Sequence, residues 1–386
     1  MRKIQSKWMV YCFYYAFFVN GMLATMMGAI LPMIKTEYHL SYSVSGMLLS
    51  GHSIGNLLAS FIAGIIPAYL GRKRSIILFS LAICLGFATI ICVANPLILI
   101  ASFVAIGAGR GGVSNLSNVS ISEISDQKAK SLNILHSIFA IGAFIAPLVA
   151  MMFTYQNQMG WRLGALTISA LAIGSICLFL KSDLSNQTTT LSKESKDQSY
   201  EFLKEKQFWV CLAILFFYLC TETTINGWLV TYFQDTGKMT MAYAQFLTSL
   251  LWLVIMFGRI GCAHLSQRVK KAHIILITTI GGAICFAILI MAQHIVGITL
   301  GIIGVGLFLS GIYPTTIATL SHLVTKYPMA MGTLLAIGAI GSILMPSVTG
   351  IIAEYAGIKA GMASIGVVTM LTVIAAIINA KYFSEM

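Results

Sequence analysis

The chain has 386 residues, of which 58% are hydrophobic and 9% are charged, and its mean hydropathy is +0.88. Soluble domains carry about 25% charged residues, so this composition excludes a water-soluble globular protein. Taken alone, the formal net charge of +12 would indicate a nucleic-acid partner. The distribution of the basic residues along the chain decides whether this interpretation holds.

Apolar runs of about 20 residues, the length of helix that crosses the hydrocarbon core of a bilayer, recur through the chain. Lipid offers no partner to backbone N–H and C=O groups, so each run must be helical. The alternating segments of about 10 residues that a barrel needs are absent. The sequence predicts an all-α membrane protein with twelve transmembrane helices in two pseudo-symmetric six-helix halves. The predicted spans are residues 9–34, 44–70, 75–94, 97–122, 131–153, 161–180, 208–233, 241–263, 272–293, 295–323, 329–354 and 360–380.

The first span follows "MRKIQSK", and no small-residue cleavage site follows a short apolar region, which predicts an uncleaved first helix. The one long polar stretch is "KSDLSNQTTTLSKESKDQSYEFLKEK", residues 181–206, which straddles the midpoint of the chain. Its Ser- and Thr-rich start predicts a flexible linker. The predicted domains are therefore an N-terminal six-helix bundle, 1–180, a cytoplasmic linker, 181–206, and a C-terminal six-helix bundle, 207–386.

Basic residues are distributed unevenly between the two sides of the predicted membrane. With the N-terminus inside, 18 of the 24 Lys and Arg residues fall on the cytoplasmic side, four on the opposite side and two within spans. This asymmetry is the positive-inside rule. It predicts a multi-pass protein of the bacterial inner (plasma) membrane with both termini cytoplasmic, in contact with lipid. It also explains the net charge without nucleic acid as a partner.

The two halves share a short pattern. "GIIPAYLGRKR" lies between spans two and three, and "GRIGCAHLSQRVKK" lies between spans eight and nine. Each is a glycine-bearing helix end that runs into a basic turn, at the same place in its half. Six-plus-six repetition of this kind is how many transporters build a binding site near the middle of the membrane.

Twelve spans, a mid-chain loop and this basic loop resemble the major facilitator superfamily, and the resemblance covers essentially the whole chain. Its best-known motif reads G-x-x-x-D-R-x-G-R-[RK], and here Ala68 and Tyr69 occupy the Asp and Arg positions. The resemblance implies gating loops that include Gly64, Gly71, Arg72, Lys73 and, in the second half, Arg268. The departure removes the carboxylate of the usual gate latch and leaves the predicted fold unchanged.

Three further stretches resemble the fucose, glucose and galactose permease branch of that family. They are "SLNILHSIFAIGAFIAP", "TETTINGWLVTYF" and "GLFLSGIYPTTIATL", in the fifth, seventh and tenth spans. The resemblance implies sugar:proton symport by alternating access. The fucose symporters couple protons through carboxylates on the first and fourth helices, but the matching stretches here, "TMMGAILP" and "GAGRGGVSNLSN", contain none. That mechanism therefore does not transfer.

Glu222 is the only one of the twelve acidic residues that falls well inside a span. Tyr218, Glu222 and Asn226 follow at i, i+4 and i+8, on one helical face. A charged group at that depth costs about 2.5–3.5 kcal/mol on insertion scales, and such groups usually mark a function. Two interpretations stay open, a hydrogen-bonded acid that holds two helices together and a cavity-facing site for a proton or a substrate.

Other polar residues inside spans also have more than one interpretation. Arg110 is either a helix–helix contact, the partner of Glu222 or a handle for an anionic solute. His52, Asn56 and Ser60 form a polar stripe, while Arg259 reads as an anchor that snorkels to the inner surface. The predicted proton-coupling residues are Glu222, Arg110 and His136. The predicted substrate-binding residues are His52, Asn56, Asn115, Asn118, Asn226, Trp228, Tyr313, Gln245, Trp252 and Asn20.

The sequence thus predicts a monomeric secondary active transporter of a small polar solute, with a proton-coupled sugar symporter as the preferred hypothesis. No nucleotide-binding loop is visible and no cofactor is implied. The expected coupling ion is H+, with sodium coupling and facilitated passage without an ion as alternatives. The eight cysteines lie in apolar spans without metal spacing. Alternatives are an organic-anion or amino-acid transporter that uses Arg110, a drug efflux antiporter, and a membrane receptor. An enzyme is not expected, because the sequence contains no HExxH, GxSxG or paired carboxylates.

Overall fold

The computed structural model describes residues 2–125, 127–155, 157–182, 184 and 200–383. The chain forms two compact units, Met1–Lys193 and Glu194–Met386. The division falls inside the predicted linker, 181–206, and residues 185–199 of that linker lie outside the described residues.

The first unit is built from long helices that run in succession along the chain. Helix α4 packs against both α5 and α7, while α1 pairs with α6 and α2 with α5. The helices are α1 (Arg2–Glu37), α2 (Tyr42–Ile65), α3 (Pro67–Leu70), α4 (Arg72–Cys92), α5 (Pro96–Ile124), α6 (Lys128–Thr154) and α7 (Trp161–Lys181).

The second unit repeats this arrangement. Helix α10 packs against both α11 and α13, while α8 pairs with α13 and α9 with α11, so the same pairs recur in the same chain order. The helices are α8 (Lys206–Asp235), α9 (Met241–Leu265), α10 (Lys271–Met291), α11 (Ile295–Thr319), α12 (Ser321–Lys326) and α13 (Pro328–Phe383).

Within the described residues, eleven helices are long and apolar enough to cross a membrane. The last of them, α13, has 56 residues, which is enough for two crossings at about 20 residues each. Its backbone leaves the helical region at Gly357 (φ 84°, ψ 158°), which separates residues 328–356 from 358–383. The predicted twelve-helix, two-half architecture is confirmed.

Helix starts show why these residues fold as they do. The Ser41 hydroxyl accepts a hydrogen bond from the Val44 amide at 3.1 Å, and the Thr240 hydroxyl accepts one from Tyr243 at 3.4 Å. These side chains satisfy amides that the first turn of a helix leaves without a partner. They begin α2 and α9, the second long helix of each unit, so the repeat extends to the capping residues.

Helix α4 begins after Gly71, whose φ of 76° and ψ of 157° lie in a region that side chains other than glycine essentially do not adopt. Gly357 has the same conformation at the break in α13. The predicted motif glycine at position 71 therefore has a local backbone reason, because this residue ends α3 and precedes α4 in a conformation that favours glycine.

We predict that Gly357→Ala lowers the free energy of unfolding by about 1–3 kcal/mol, since alanine is strained at this φ and ψ. Thermal unfolding in detergent micelles measures the change. Gly332→Ala is the matched control, because Gly332 lies in the same helix with open space around its Cα. Equal melting temperatures for the two variants would contradict the assignment of strain to Gly357.

Candidate functional site

The acid predicted as the centre of the site, Glu222, lies in the middle of α8 and is partly buried. The Tyr218 hydroxyl, one helical turn earlier, donates a hydrogen bond to Glu222 Oε1 at 2.8 Å. The Tyr218 side chain is almost fully buried, with 2% of its surface exposed. The acid is therefore held by a donor on its own helix.

Tyr313, predicted to bind substrate, lies on α11 with its ring centroid 6.1 Å from that of Tyr218. The two rings are tilted by 44° to each other, a separation and geometry within the usual range for aromatic pairs. Tyr313 therefore packs against Tyr218, the hydrogen-bond donor of Glu222, and the three residues form one cluster.

Asn226, one turn beyond Glu222, is oriented by α9. The Trp252 indole Nε1 donates to Asn226 Oδ1 at 2.9 Å. An indole N–H can only donate, so the carbonyl oxygen of the amide must face it. The amide NH2 of Asn226 therefore points away from the indole. Gln245, two turns before Trp252 on α9, is fully buried.

Trp228 has a different environment from the one that sequence reasoning favoured. Its ring is fully buried, and its Nε1 donates to the Pro346 carbonyl oxygen on α13 at 3.1 Å. Stacking on a solute needs an accessible ring face, and this ring has none in the structure. The observed geometry is that of a contact between α8 and α13.

In the first unit, α2 and α5 approach each other along glycines. A Cβ atom added to Gly107 would lie 1.9 Å from the His52 carbonyl oxygen, and one added to Gly111 would lie 2.1 Å from that of Asn56. Only glycine permits such backbone contact. The glycines next to Arg110 therefore bring the α2 stripe of His52 and Asn56 against α5.

Arg110 is partly buried on α5. Its guanidinium carbon lies 5.9 Å from the centroid of the Phe139 ring on α6, within the range of a cation–π contact. Its backbone carbonyl accepts a hydrogen bond from Asn20 Nδ2 at 3.0 Å, which links α1 to α5. Arg110 belongs to the first unit and Glu222 to the second, and their predicted pairing stays a prediction.

The remaining predicted residues of the first unit lie around this position. His52 is 9% exposed, and its Nε2 has no hydrogen-bond partner among the described residues. Asn115 Nδ2 donates to the Ser60 carbonyl on α2 at 3.0 Å, whereas Asn118 Nδ2 donates within its own helix at 2.9 Å. His136 is exposed on α6 and meets the Phe17 ring edge-on at 5.4 Å.

Each unit contains a small internal cavity, and the two occupy equivalent positions. One is formed by α1, α4, α5 and α7, the other by α8, α10, α11 and the second part of α13. The first is lined by Asn20 and Ser175, whose Oδ1 and Oγ have no partner among the described residues. The second is lined by Tyr218 and by threonines whose hydroxyls bond to their own helices. The repeat therefore extends to the positions of the two cavities. Their linings differ, because only the first cavity is lined by these polar atoms without a partner among the described residues.

The predicted gating loop of the first unit forms polar contacts with helices of the same unit. Arg72 forms a two-pronged ion pair with Glu123 at the end of α5, at 2.5 and 2.8 Å. Lys73 Nζ donates to the carbonyls of Leu180 and Ser182 at the end of α7, at 2.8 and 2.9 Å. The basic loop thus pairs with the Glu123 carboxylate of α5, although the loop motif itself contains no carboxylate.

Gly64 and Arg268, both predicted to belong to gating loops, lie in different kinds of element. Gly64 lies inside α2 rather than in the loop, because the helix continues to Ile65 before Pro67 starts α3. Arg268 lies in the exposed turn after α9. Near this turn, Lys271 is the first residue of α10. Its Nζ donates a hydrogen bond to the Ala318 carbonyl oxygen, near the end of α11, at 2.8 Å.

The sequence profile of the Major Facilitator Superfamily matches residues 13–327, and the chain belongs to this family. It is therefore a membrane transporter and not an enzyme. The resemblance to the fucose, glucose and galactose permease branch stays a prediction.

Among relatives, the "Protein TsgA homolog" of Yersinia enterocolitica is 22% identical over 361 residues, covering 91% of this chain and 89% of the relative. A mutant of the nucleoside transporter NupG has a TM-score of 0.80 at 14% identity, covering 99% of this chain and 100% of the other. A D-xylose-proton symporter has a TM-score of 0.78 at 14% identity, covering 99% and 98%. At these identities the solved structures establish the fold.

We predict that Lys73→Met lowers the thermal stability of the protein, by on the order of 1 kcal/mol, because the last carbonyls of α7 lose a charged donor. The measurement is thermal unfolding in detergent. Arg74→Met is the control, since Arg74 is the exposed next residue of the same turn. A Lys73 variant as stable as the Arg74 variant would show that the two bonds contribute nothing.

Proposed function

We propose that the protein is a proton-coupled symporter of a neutral polar solute, with a sugar as the preferred solute, and that Glu222 carries the proton. The observation that carries the proposal is the hydrogen bond from Tyr218 to this acid in the middle of a membrane-spanning helix. An ionisable group at that depth is retained at a cost of about 2.5–3.5 kcal/mol, which a proton-carrying role accounts for.

The chemistry of the pair suits proton exchange. Ionised Glu222 accepts the Tyr218 hydroxyl as a charge-assisted hydrogen bond. After protonation the carboxyl group still has an acceptor oxygen and gains an O–H donor. Tyr218 can therefore remain bonded in both states, while the new O–H becomes available to a bound solute or to water.

Asn226 is the residue to which we assign a solute oxygen. Trp252 occupies its carbonyl oxygen, so the amide NH2 faces away from the indole and offers two donors. A sugar hydroxyl or ring oxygen is a matching acceptor. Asn56, Asn115, Asn118 and His52 remain predicted solute ligands of the first unit.

The solved structures named above support a polar solute by analogy only. One is named a nucleoside transporter and the other a D-xylose-proton symporter, and both kinds of solute carry several hydroxyl groups. We further propose residence in a bacterial inner membrane with both termini in the cytoplasm, in keeping with the positive-inside asymmetry.

We predict that Glu222→Gln abolishes accumulation of solute driven by a proton gradient in proteoliposomes, because a glutamine amide cannot take up and release the proton. Counterflow, which needs no net proton movement, persists. Glu354→Gln, at an exposed position of α13, is the matched control and accumulates solute normally. Proton-driven accumulation by the Glu222 variant equal to that of the parent would refute the proton role.

We predict that Asn226→Leu raises the KM for solute by about tenfold, since one hydrogen bond contributes about 1–1.5 kcal/mol. Trp252→Phe, which keeps the amide but removes the donor that orients it, raises the KM by a smaller factor. Uptake kinetics at saturating proton gradient measure both. An unchanged KM in the Asn226 variant would remove this residue from the binding site.

The second candidate is a carrier of organic anions or amino acids. It is favoured by Arg110, which cannot lose its charge in the membrane and which lies on the segment of α5 that packs against His52 of α2. Thermal-shift binding to purified protein, with neutral sugars and organic acids side by side, separates the two candidates.

A further inference from the structure

The cavity of the first unit, between α1, α4, α5 and α7, contains polar atoms that the surrounding helices do not satisfy. The residues that line it are all buried, and three of them, Asn20, Ser80 and Ser175, are polar. Asn20 Oδ1 and Ser175 Oγ have no hydrogen-bond partner among the described residues. Buried polar atoms in folded proteins are almost always paired with protein or with ordered water. These two atoms therefore indicate a ligand in the cavity.

The orientation of the Asn20 amide is set by α5. Its Nδ2 donates to the Arg110 carbonyl oxygen at 3.0 Å, so the nitrogen side of the amide faces α5. The oxygen atom, Oδ1, is the one that remains without a partner, and the side chain is only 1% exposed. A carbonyl oxygen can accept but not donate. The ligand must therefore offer a hydrogen-bond donor to Asn20.

The Ser175 hydroxyl lacks the bond that other hydroxyls of its helix form. On α7, the Ser169 hydroxyl donates to the carbonyl four residues earlier at 3.0 Å. The corresponding carbonyl for Ser175 is that of Leu171, which accepts the Tyr15 hydroxyl of α1 at 3.0 Å. The two helices are close here, since a Cβ atom added to Gly174 would lie 2.6 Å from the Tyr15 hydroxyl oxygen. The Ser175 hydroxyl can therefore serve a ligand, as donor or as acceptor.

The size and charge of the cavity restrict the ligand. Its volume is about 10 Å³, close to the least that holds one water molecule. The described residues that line it include no carboxylate, and a buried cation is costly without an opposite charge. A neutral molecule of the size of water, able both to donate and to accept, fits these conditions.

We infer that this cavity is a binding site for one water molecule, which bridges Asn20 Oδ1 and Ser175 Oγ. The water donates one hydrogen bond to Asn20 and forms a second with Ser175, while the Ser80 hydroxyl in the lining offers a third partner. The bridge joins α1 to α7 and stands independently of the proposed transport function. It also gives Asn20, which the sequence predicts as a solute ligand, a role inside its own unit.

The direct test is a structure of the parent protein at a resolution that shows ordered water. We expect a density peak about 2.7–3.2 Å from both Asn20 Oδ1 and Ser175 Oγ. A well-ordered cavity without a peak, or a peak that contacts only one of the two atoms, overturns the inference. This measurement needs no substitution, so it holds even where a variant fails to fold.

A double-mutant cycle in detergent micelles tests the bridge by thermal unfolding. Ser175→Ala lowers the melting temperature by about 2 °C more than Ser169→Ala, the matched control whose hydroxyl bonds within α7. Asn20→Leu replaces the amide by an apolar side chain of similar size. In that background the additional effect of Ser175→Ala disappears, because water no longer joins the two positions. An additional effect of equal size in both backgrounds overturns the bridge.

Unfolding in sodium chloride and in choline chloride distinguishes water from a bound cation. For a water molecule, we expect the difference in melting temperature between the two salts to be the same in the parent and in Ser175→Ala. Stabilisation by sodium that the parent shows and Ser175→Ala loses would overturn the assignment, because it would place a cation in the cavity.

Discussion

The hydrogen bond from Tyr218 to Glu222 is the interaction on which the functional account depends. Both residues lie on α8, one turn apart, so the bond forms within a single helix. Its donor is buried, whereas the acid is only partly buried. A partly exposed carboxyl group with a donor on its own helix suits the proton exchange that we propose for it.

The internal repeat supplies a common framework in which the two units differ by their polar groups. Equivalent helix pairs pack together, equivalent helices begin with Ser41 and Thr240, and basic residues bond to helix ends at Lys73 and Lys271. On this framework the first unit carries Arg110 and a polar cavity, and the second carries Glu222 and its tyrosines. The two units therefore differ in a few polar side chains rather than in the arrangement of their helices.

Much of the fold could be predicted from the sequence, because the length of apolar runs and the positions of basic loops follow directly from the bilayer. The Tyr218–Glu222 contact could also be predicted, since i, i+4 spacing fixes which side chains meet on one helix. Contacts between helices could not. The bonds of Trp228 to Pro346 and of Trp252 to Asn226 depend on the rotation and tilt of neighbouring helices, which periodicity does not encode.

Infrared difference spectroscopy of the membrane-reconstituted protein across a pH titration tests the central claim most directly, because it detects the carbonyl stretch of a protonated carboxyl group without any solute. The account predicts a band that appears as the pH falls in the parent protein and that is missing from the Glu222→Gln variant. A parent protein without such a band, or a titrating band that survives in the variant, would contradict the claim that Glu222 exchanges a proton with water.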